Sequence, residues 1–167
     1  MGDGEPAWRW QKELYREDRG GRTGWQAGPD GERKEPEMHA DPEREKTQAA
    51  ILIVDDDAVN RAILEQIFSG RYRVLEAENG RDGLGEILAA PERLCAVLLD
   101  VVMPEMDGLE VLRRLREAEL LEELPVFLIT AEASDRVVKE AYALGVMDVI
   151  GKPVVPYVVL RRVQSVI

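Results

Sequence analysis

From Ala49 onward the chain alternates short, almost unbroken apolar runs with longer stretches in which apolar residues recur every three or four positions. The runs are Ala50–Val54, Tyr72–Ala77, Cys95–Leu99, Val126–Ile129 and Asp148–Ile150. The periodic stretches are Asn60–Phe68, Arg81–Leu88, Leu109–Glu117, Arg136–Leu144 and Tyr157–Val166. Continuous Val, Ile and Leu suit strands covered on both faces, and helices between strands require parallel pairing through crossovers. Five strand–helix units in the span 48–167 predict an α/β fold, a doubly wound five-stranded parallel sheet flanked by helices.

Local residues set several boundaries. Gly70 is expected to end the first helix, and Asn79-Gly80 to punctuate the turn into the second. Pro104 and Asp107-Gly108 shape the loop entering the third helix, and Ser134 or Asp135 caps the fourth, which Gly145 closes. Pro153 stops the last strand ahead of the final helix.

Residues 1–47 have a different texture. They hold one leucine, Leu14, and no Ile, Val or Phe, but half the glycines and four of the nine prolines. Too little apolar surface is available there to offset the ordering entropy, so this extension is expected to be disordered, with a short helix near Trp8–Glu17. All three tryptophans, Trp8, Trp10 and Trp25, fall in it and are read as part of a loosely structured extension, with a docking motif as the alternative; the single histidine, His39, is read as solvated.

A net charge of −11 argues against nucleic acid or an anionic membrane as a direct partner, since both demand a basic patch. No signal segment or membrane-length apolar run is seen, which predicts a soluble, cytoplasmic chain. The one cysteine, Cys95, lies in an apolar run and is expected in the core.

In an open α/β sheet, ligands bind beyond the carboxyl ends of the strands. Here the first strand ends in Asp55-Asp56-Asp57, the third in Asp100, the fourth in Thr130 and the fifth in Lys152-Pro153; the second offers no such residue. With strand order 2-1-3-4-5, strands one and three are neighbours, roughly 5 Å apart, and Asp56 and Asp100 share a pocket with Asp55 at its edge. Carboxylates that close repel by about 4 kcal/mol per pair at an effective dielectric near 20, so a raised pKa or a cation is required. Hard oxygen donors suit Mg²⁺; no His or Cys falls at these ends, so zinc is not expected. Lys152 is long enough to reach Asp100, and Thr130 offers a hydroxyl one strand away. A carboxylate nucleophile, a metal site, a hydroxyl and an ammonium together describe phosphoryl transfer to an aspartate.

The segments Ile51-Leu-Ile-Val-Asp-Asp-Asp57, Leu98-Leu-Asp-Val-Val-Met-Pro-Glu-Met-Asp-Gly108, Ile129-Thr-Ala131 and Gly151-Lys-Pro153 resemble the CheY-like receiver family of two-component signalling, across residues 50–167. The resemblance implies that Asp100 is the phosphoacceptor, that Asp56 binds Mg²⁺ directly, and that Asp55 acts through metal-bound water. It further implies that Val102 lends a backbone carbonyl to the metal, and that Thr130 and Lys152 contact the phosphoryl oxygens. The implied donor is a histidine kinase or histidine phosphotransfer protein, and the domain catalyses only its own labelling and hydrolysis. A homodimer through the fourth and fifth helices is a further expectation.

One residue departs from the family. Three positions before the lysine, where the family often has an aromatic that follows the threonine, this chain has Val149. The fourth helix and its preceding loop are therefore expected to carry the change on phosphorylation. Two stripes on the final segment, Val159-Val163-Val166 and Leu160-Gln164-Ile167, suggest one core face and one partner face. The segment resembles receivers that precede an output module, including HD-type cyclic-dinucleotide phosphodiesterases; such a module after residue 167 is the first expectation and a naturally single-domain receiver the alternative. Val102 cannot orient an attacking water, which predicts slow loss of the phosphoryl group.

Two rival readings exist. Asp55-x-Asp57-x-Val59 fits the haloacid-dehalogenase opening, with Asp55 as nucleophile and Asp57 as acid/base, but leaves Asp100 and the Met103–Gly108 loop unexplained. The other is a receiver that only binds proteins. A P-loop is absent from the sequence.

Overall fold

The computed structural model describes residues 49–167. The expectations for the N-terminal extension (disorder, a helix near Trp8–Glu17, tryptophan docking, a solvated His39) lie outside the described residues. In chain order the elements are β1 (Ala50–Val54), α1 (Ala58–Phe68), β2 (Arg73–Ala77), α2 (Gly80–Ala89), a 3₁₀ turn (Pro91–Arg93), β3 (Leu94–Leu99), α3 (Gly108–Glu117), β4 (Val126–Thr130), α4 (Asp135–Leu144), β5 (Asp148–Gly151) and α5 (Pro156–Gln164). All pairings are parallel, as the alternation of runs and periodic stretches requires, and the sheet order is β2-β1-β3-β4-β5, the order expected of a CheY-like fold.

Strand periodicity explains why the apolar runs are continuous. Successive side chains point to opposite faces, and here both faces are covered. Leu52, Val54, Val97, Leu99, Val126 and Leu128 pack toward one core with Ile87 of α2, Leu112 and Leu115 of α3 and Val137 and Ala141 of α4. Ile51, Ile53, Leu98, Phe127 and Ile129 pack toward the other with Leu64 and Phe68 of α1 and Val159 and Val163 of α5. The second stripe of α5 is not a free surface: Leu160 and Ile167 are half-buried against this same core, beside Val166. Cys95 sits at the margin of that core rather than inside it; its thiol lies 3.4 Å from the Ala50 carbonyl oxygen, and burial pushes its pKa up to about 11.

The caps are local. Asp57 accepts from the Val59 N–H at 2.8 Å, so α1 starts at Ala58, two residues before the apolar periodicity. Ser134, not Asp135, caps α4, accepting from Val137, and Gly145 ends it at φ 109°, a left-handed conformation that favours glycine. Gly70 plays no such part: Ser69 caps α1 in right-handed geometry, and Gly145 is the one glycine with positive φ among the described residues.

The loop from β3 to α3 is fixed by close backbone approach. A Cβ on Gly108 would stand 2.2 Å from the carbonyl oxygen of Asp100, and one on Gly80 would stand 2.3 Å from that of Met106. The Gly108 N–H donates to the Val101 carbonyl at 2.9 Å, and Val101 and Met103 are buried under the loop. Glu105, at its tip, is held at φ 65°.

Two substitutions test this account by urea unfolding. Gly108→Ala is expected to cost about 3 kcal/mol, because neither backbone can yield. Glu105→Gly is expected to stabilise by about 0.5 kcal/mol, relief of about 1–2 kcal/mol of left-handed strain exceeding about 0.4–1 kcal/mol of added unfolded-state entropy. Equal midpoints for the two variants at unchanged slope would contradict it.

Candidate functional site

Asp100 follows the last residue of β3, and its N–H donates to the Val54 carbonyl of β1 at 2.9 Å, which carries the sheet pairing into the site. Its side chain is buried, the residue being 6 % exposed. One oxygen, Oδ2, accepts from Lys152 Nζ at 3.0 Å, whereas Oδ1 is buried with no hydrogen-bond partner. An unsatisfied buried carboxylate oxygen is expensive, and native proteins keep few of them without a use.

The strand-to-helix turn after β1 supplies the second part. Asp55, 2 % exposed, accepts from the Asp57 N–H at 2.9 Å on Oδ1, with Asn60 Nδ2 at 3.5 Å. Its Oδ2 takes Lys152 Nζ at 2.7 Å. Asp56 is exposed, while Asp57 is turned away to cap α1. One carboxylate oxygen each from Asp55, Asp56 and Asp100 lies within 4.8 Å of the other two.

Lys152 thus bridges Asp55 and Asp100 from the residue just beyond β5, its N–H donating to the Thr130 carbonyl at 2.8 Å. Burial alone would lower the Lys152 pKa; the bonds to both carboxylates outweigh it and hold the ammonium above its usual value. For Asp100 burial dominates and raises the carboxyl pKa, against the pull of Lys152 and with help from the charge of Asp55. Thr130 is fully buried at the end of β4, and its hydroxyl accepts from the Glu132 N–H at 3.1 Å. Val102, 55 % exposed, lies in the loop two residues past Asp100.

The site therefore brings together Asp55, Asp56, Asp100 and Lys152, with Thr130 at the adjoining strand end. One ammonium cannot neutralise three carboxylates, and the donor set is all hard oxygen. With Asp100 Oδ1 unsatisfied, the cluster fits a small divalent cation such as Mg²⁺.

A residue without a sequence signal also belongs to the site. Arg61 looks like one polar position of an amphipathic helix, yet it is buried and donates through Nη1 to the Asp55 carbonyl at 2.9 Å. Its Nε and Nη2 pair with Glu76 and Glu78, each at 3.0 Å, so the end of β2 does contribute, indirectly. Only the register of β1 against β2, which places Ile53 beside Glu76 and Val54 beside Ala77, could have revealed it.

An open α/β sheet whose central strand ends carry an acidic pocket and a bridging lysine is the architecture of a signalling receiver domain. The chain belongs to the response regulator receiver domain family, whose model matches residues 51–164. It is 34 % identical over 118 residues to the two-component response regulator ORR3 of Oryza sativa, matching 70 % of this chain and 89 % of the relative. A probable cyclic di-GMP phosphodiesterase of Vibrio cholerae is 34 % identical over 119 residues, which are 71 % of this chain but 26 % of that protein. Among solved structures, Vibrio cholerae chemotaxis protein CheY4 superposes with TM-score 0.65 at 29 % identity, covering 72 % of this chain and 99 % of that one. A chain of the CheX–CheY–BeF3–Mg complex from Borrelia burgdorferi gives TM-score 0.66 at 30 % identity, covering 70 % of this chain and 87 % of that one. No helix among the described residues is long and apolar enough to cross a membrane.

The raised Asp100 pKa makes a stability claim with a definite sign. Above the ordinary aspartate range the unfolded chain ionises freely while the folded site resists, so ionisation penalises folding. Asp100→Asn should therefore stabilise the domain at pH 7 without added metal. The gain should shrink as pH falls through the raised pKa, and vanish once both states are protonated. A gain that grows on acidification, in thermal melts from pH 3 to pH 8, would refute this.

Proposed function

We propose that Asp100 accepts a phosphoryl group from a phosphohistidine donor, a histidine kinase or histidine phosphotransfer protein. The observation that carries this reading is the state of its carboxylate: one oxygen is held by Lys152, and the other is buried without a hydrogen bond. In the transfer, an Asp100 oxygen forms a bond to phosphorus as the phosphorus–nitrogen bond breaks, and the departing imidazole nitrogen takes a proton from solvent. Asp56, Asp55, Asp100 and the Val102 backbone carbonyl are the groups that would hold Mg²⁺. Bound Mg²⁺ supplies neutralisation of charge on the transferring oxygens. Lys152 keeps Asp100 oriented and then holds a phosphoryl oxygen, and the Thr130 hydroxyl donates to another. No general base is required.

The haloacid-dehalogenase reading loses its acid/base, because Asp57 is spent on the α1 cap. For the donor, the apolar cleft beside Lys152, lined by Asn60, Ile63, Leu64, Pro153 and Val154, offers a seat for the helix that carries the phosphohistidine. Val59 and Val155, the chain neighbours of the lining residues Asn60 and Val154, are exposed. Exposed Tyr142 on α4 and Val158 on α5 are where we place a homodimer contact. The Vibrio cholerae phosphodiesterase, which extends far beyond the matched region, supports an output module of the cyclic-dinucleotide class joined to residues 48–167.

The test is intact and peptide mass spectrometry after acetyl phosphate with Mg²⁺. A single acyl phosphate on Asp100, lost in Asp100→Asn and in EDTA, is the expected result; label on Asp55, or none anywhere, sinks the proposal. Followed over time, the label should decay with a half-life on the order of hours, since the exposed Val102 side chain cannot position water. Decay within seconds would show that another group does so.

A further inference from the structure

We propose that Arg61 is a positioning residue for the metal site: its guanidinium clamps the peptide that joins the two acidic ligands at the end of β1. This rests on the reading of Asp55 and Asp56 given above. Arg61 Nη1 donates to the Asp55 carbonyl oxygen at 2.9 Å. That carbonyl belongs to the same rigid peptide plane as the Asp56 N–H, so the bond fixes the torsion on the Asp55 side and on the Asp56 side together. The relative direction of the two carboxylates follows from those torsions. Mg²⁺ tolerates little departure from octahedral geometry, so a freely rocking peptide here would cost affinity.

The rest of the environment makes the clamp stiff. The Arg61 side chain is 9 % exposed, and its other nitrogens are held by Glu76 and Glu78 at 3.0 Å each. A buried guanidinium in three directed bonds has nowhere else to go, and its planar fork is what lets it reach a carbonyl and two carboxylates at once. The backbone of Arg61 is tied to the same turn, its N–H donating to the Asp57 carbonyl at 3.1 Å. Simple helix anchoring would need only the pairs to β2; the third bond, into the Asp55–Asp56 peptide, has no anchoring role that those pairs do not already fill.

Charge acts in the opposite direction and must be separated out. A cation behind an acidic pocket repels Mg²⁺, so deleting it would strengthen binding electrostatically while loosening the geometry. Arg61→Lys keeps the charge and removes the fork. Glu78→Gln keeps the fork and removes a carboxylate that is largely solvent-exposed, which gives the size of the charge effect alone.

The experiment is isothermal titration of the full chain with MgCl₂, together with ¹H–¹⁵N spectra of the metal-free protein. Arg61→Lys is expected to weaken Mg²⁺ binding about tenfold, the worth of one good hydrogen bond to a charged group, and to shift the Asp56 amide resonance. Glu78→Gln should stay within about twofold of wild type, as a screened surface charge would. Arg61→Lys binding like wild type, or Glu78→Gln losing as much as Arg61→Lys, overturns the proposal. Should Arg61→Lys not fold, the wild-type guanidinium resonances of Arg61 serve instead: they should shift on Mg²⁺ titration, and unmoved signals overturn the clamp. If wild type itself takes up no Mg²⁺, it is the function proposed above that fails, which is a separate result.

Discussion

The structure depends on how much negative charge a buried sheet end will tolerate. Parallel pairing of β1 and β3 places Asp55 and Asp100 side by side at the centre of the fold, both nearly inaccessible to water. Nothing in packing or hydrogen bonding asks for two carboxylates there. One ammonium, Lys152, is shared between them, and a third carboxylate, Asp56, stands at the rim. The arrangement is underneutralised, and burial already raises the Asp100 pKa. A buried acidic site with a carboxylate oxygen left unpaired is stabilised by any cation that binds it.

Much around this centre can be understood as holding the charges still. Gly108 lets α3 start against the carbonyl of Asp100, and Gly80 lets α2 seat the same loop from the other side. Asp57 is diverted to the α1 cap while its N–H supports Asp55. Glu105 accepts a left-handed backbone at the tip of the loop. Each is a local concession of the order of 1 kcal/mol, small against the repulsion of unshielded carboxylates but enough to select one geometry.

The fold was legible because both faces of the sheet are buried: an apolar run with no polar interruption has few alternatives, and its alternation with helices leaves parallel pairing through crossovers, whereas the strand order came with the family resemblance. The acidic pocket was legible because its residues follow strands directly, so that sequence position is position in space. Arg61 was not, since burial of a helix arginine depends on β2 lying beside β1, a tertiary fact with no local mark. Gly70 misled for the converse reason: a glycine after a helix is a frequent left-handed cap, but Ser69 ends α1 without one. The second stripe of α5 misled because its margin residues, Leu160 and Ile167, reach the same core as the first.

Val149 leaves a physical question about how the pocket speaks to the rest of the surface. Its side chain is half-buried against the core beneath α2, α3 and α4, and offers no ring to swing. What the site does hold is a hydroxyl already engaged with a loop: Thr130 Oγ1 accepts from the Glu132 N–H, and two residues later Ser134 caps α4. A new acceptor on Asp100 that draws the hydroxyl inward must either take the Glu132 amide with it or break that bond. In both cases the strain falls on residues 131–134 and on the start of α4, not on β5. At its far side β5 is stapled, with Asp148 accepting from Tyr142 of α4 at 2.8 Å and paired with Arg162 of α5 at 2.9 Å. That same Tyr142 bond ties the end of α4 to β5, so a displacement of the Thr130 hydroxyl would reach the first turn of α4, through residues 131–134, before it reached the rest of the helix.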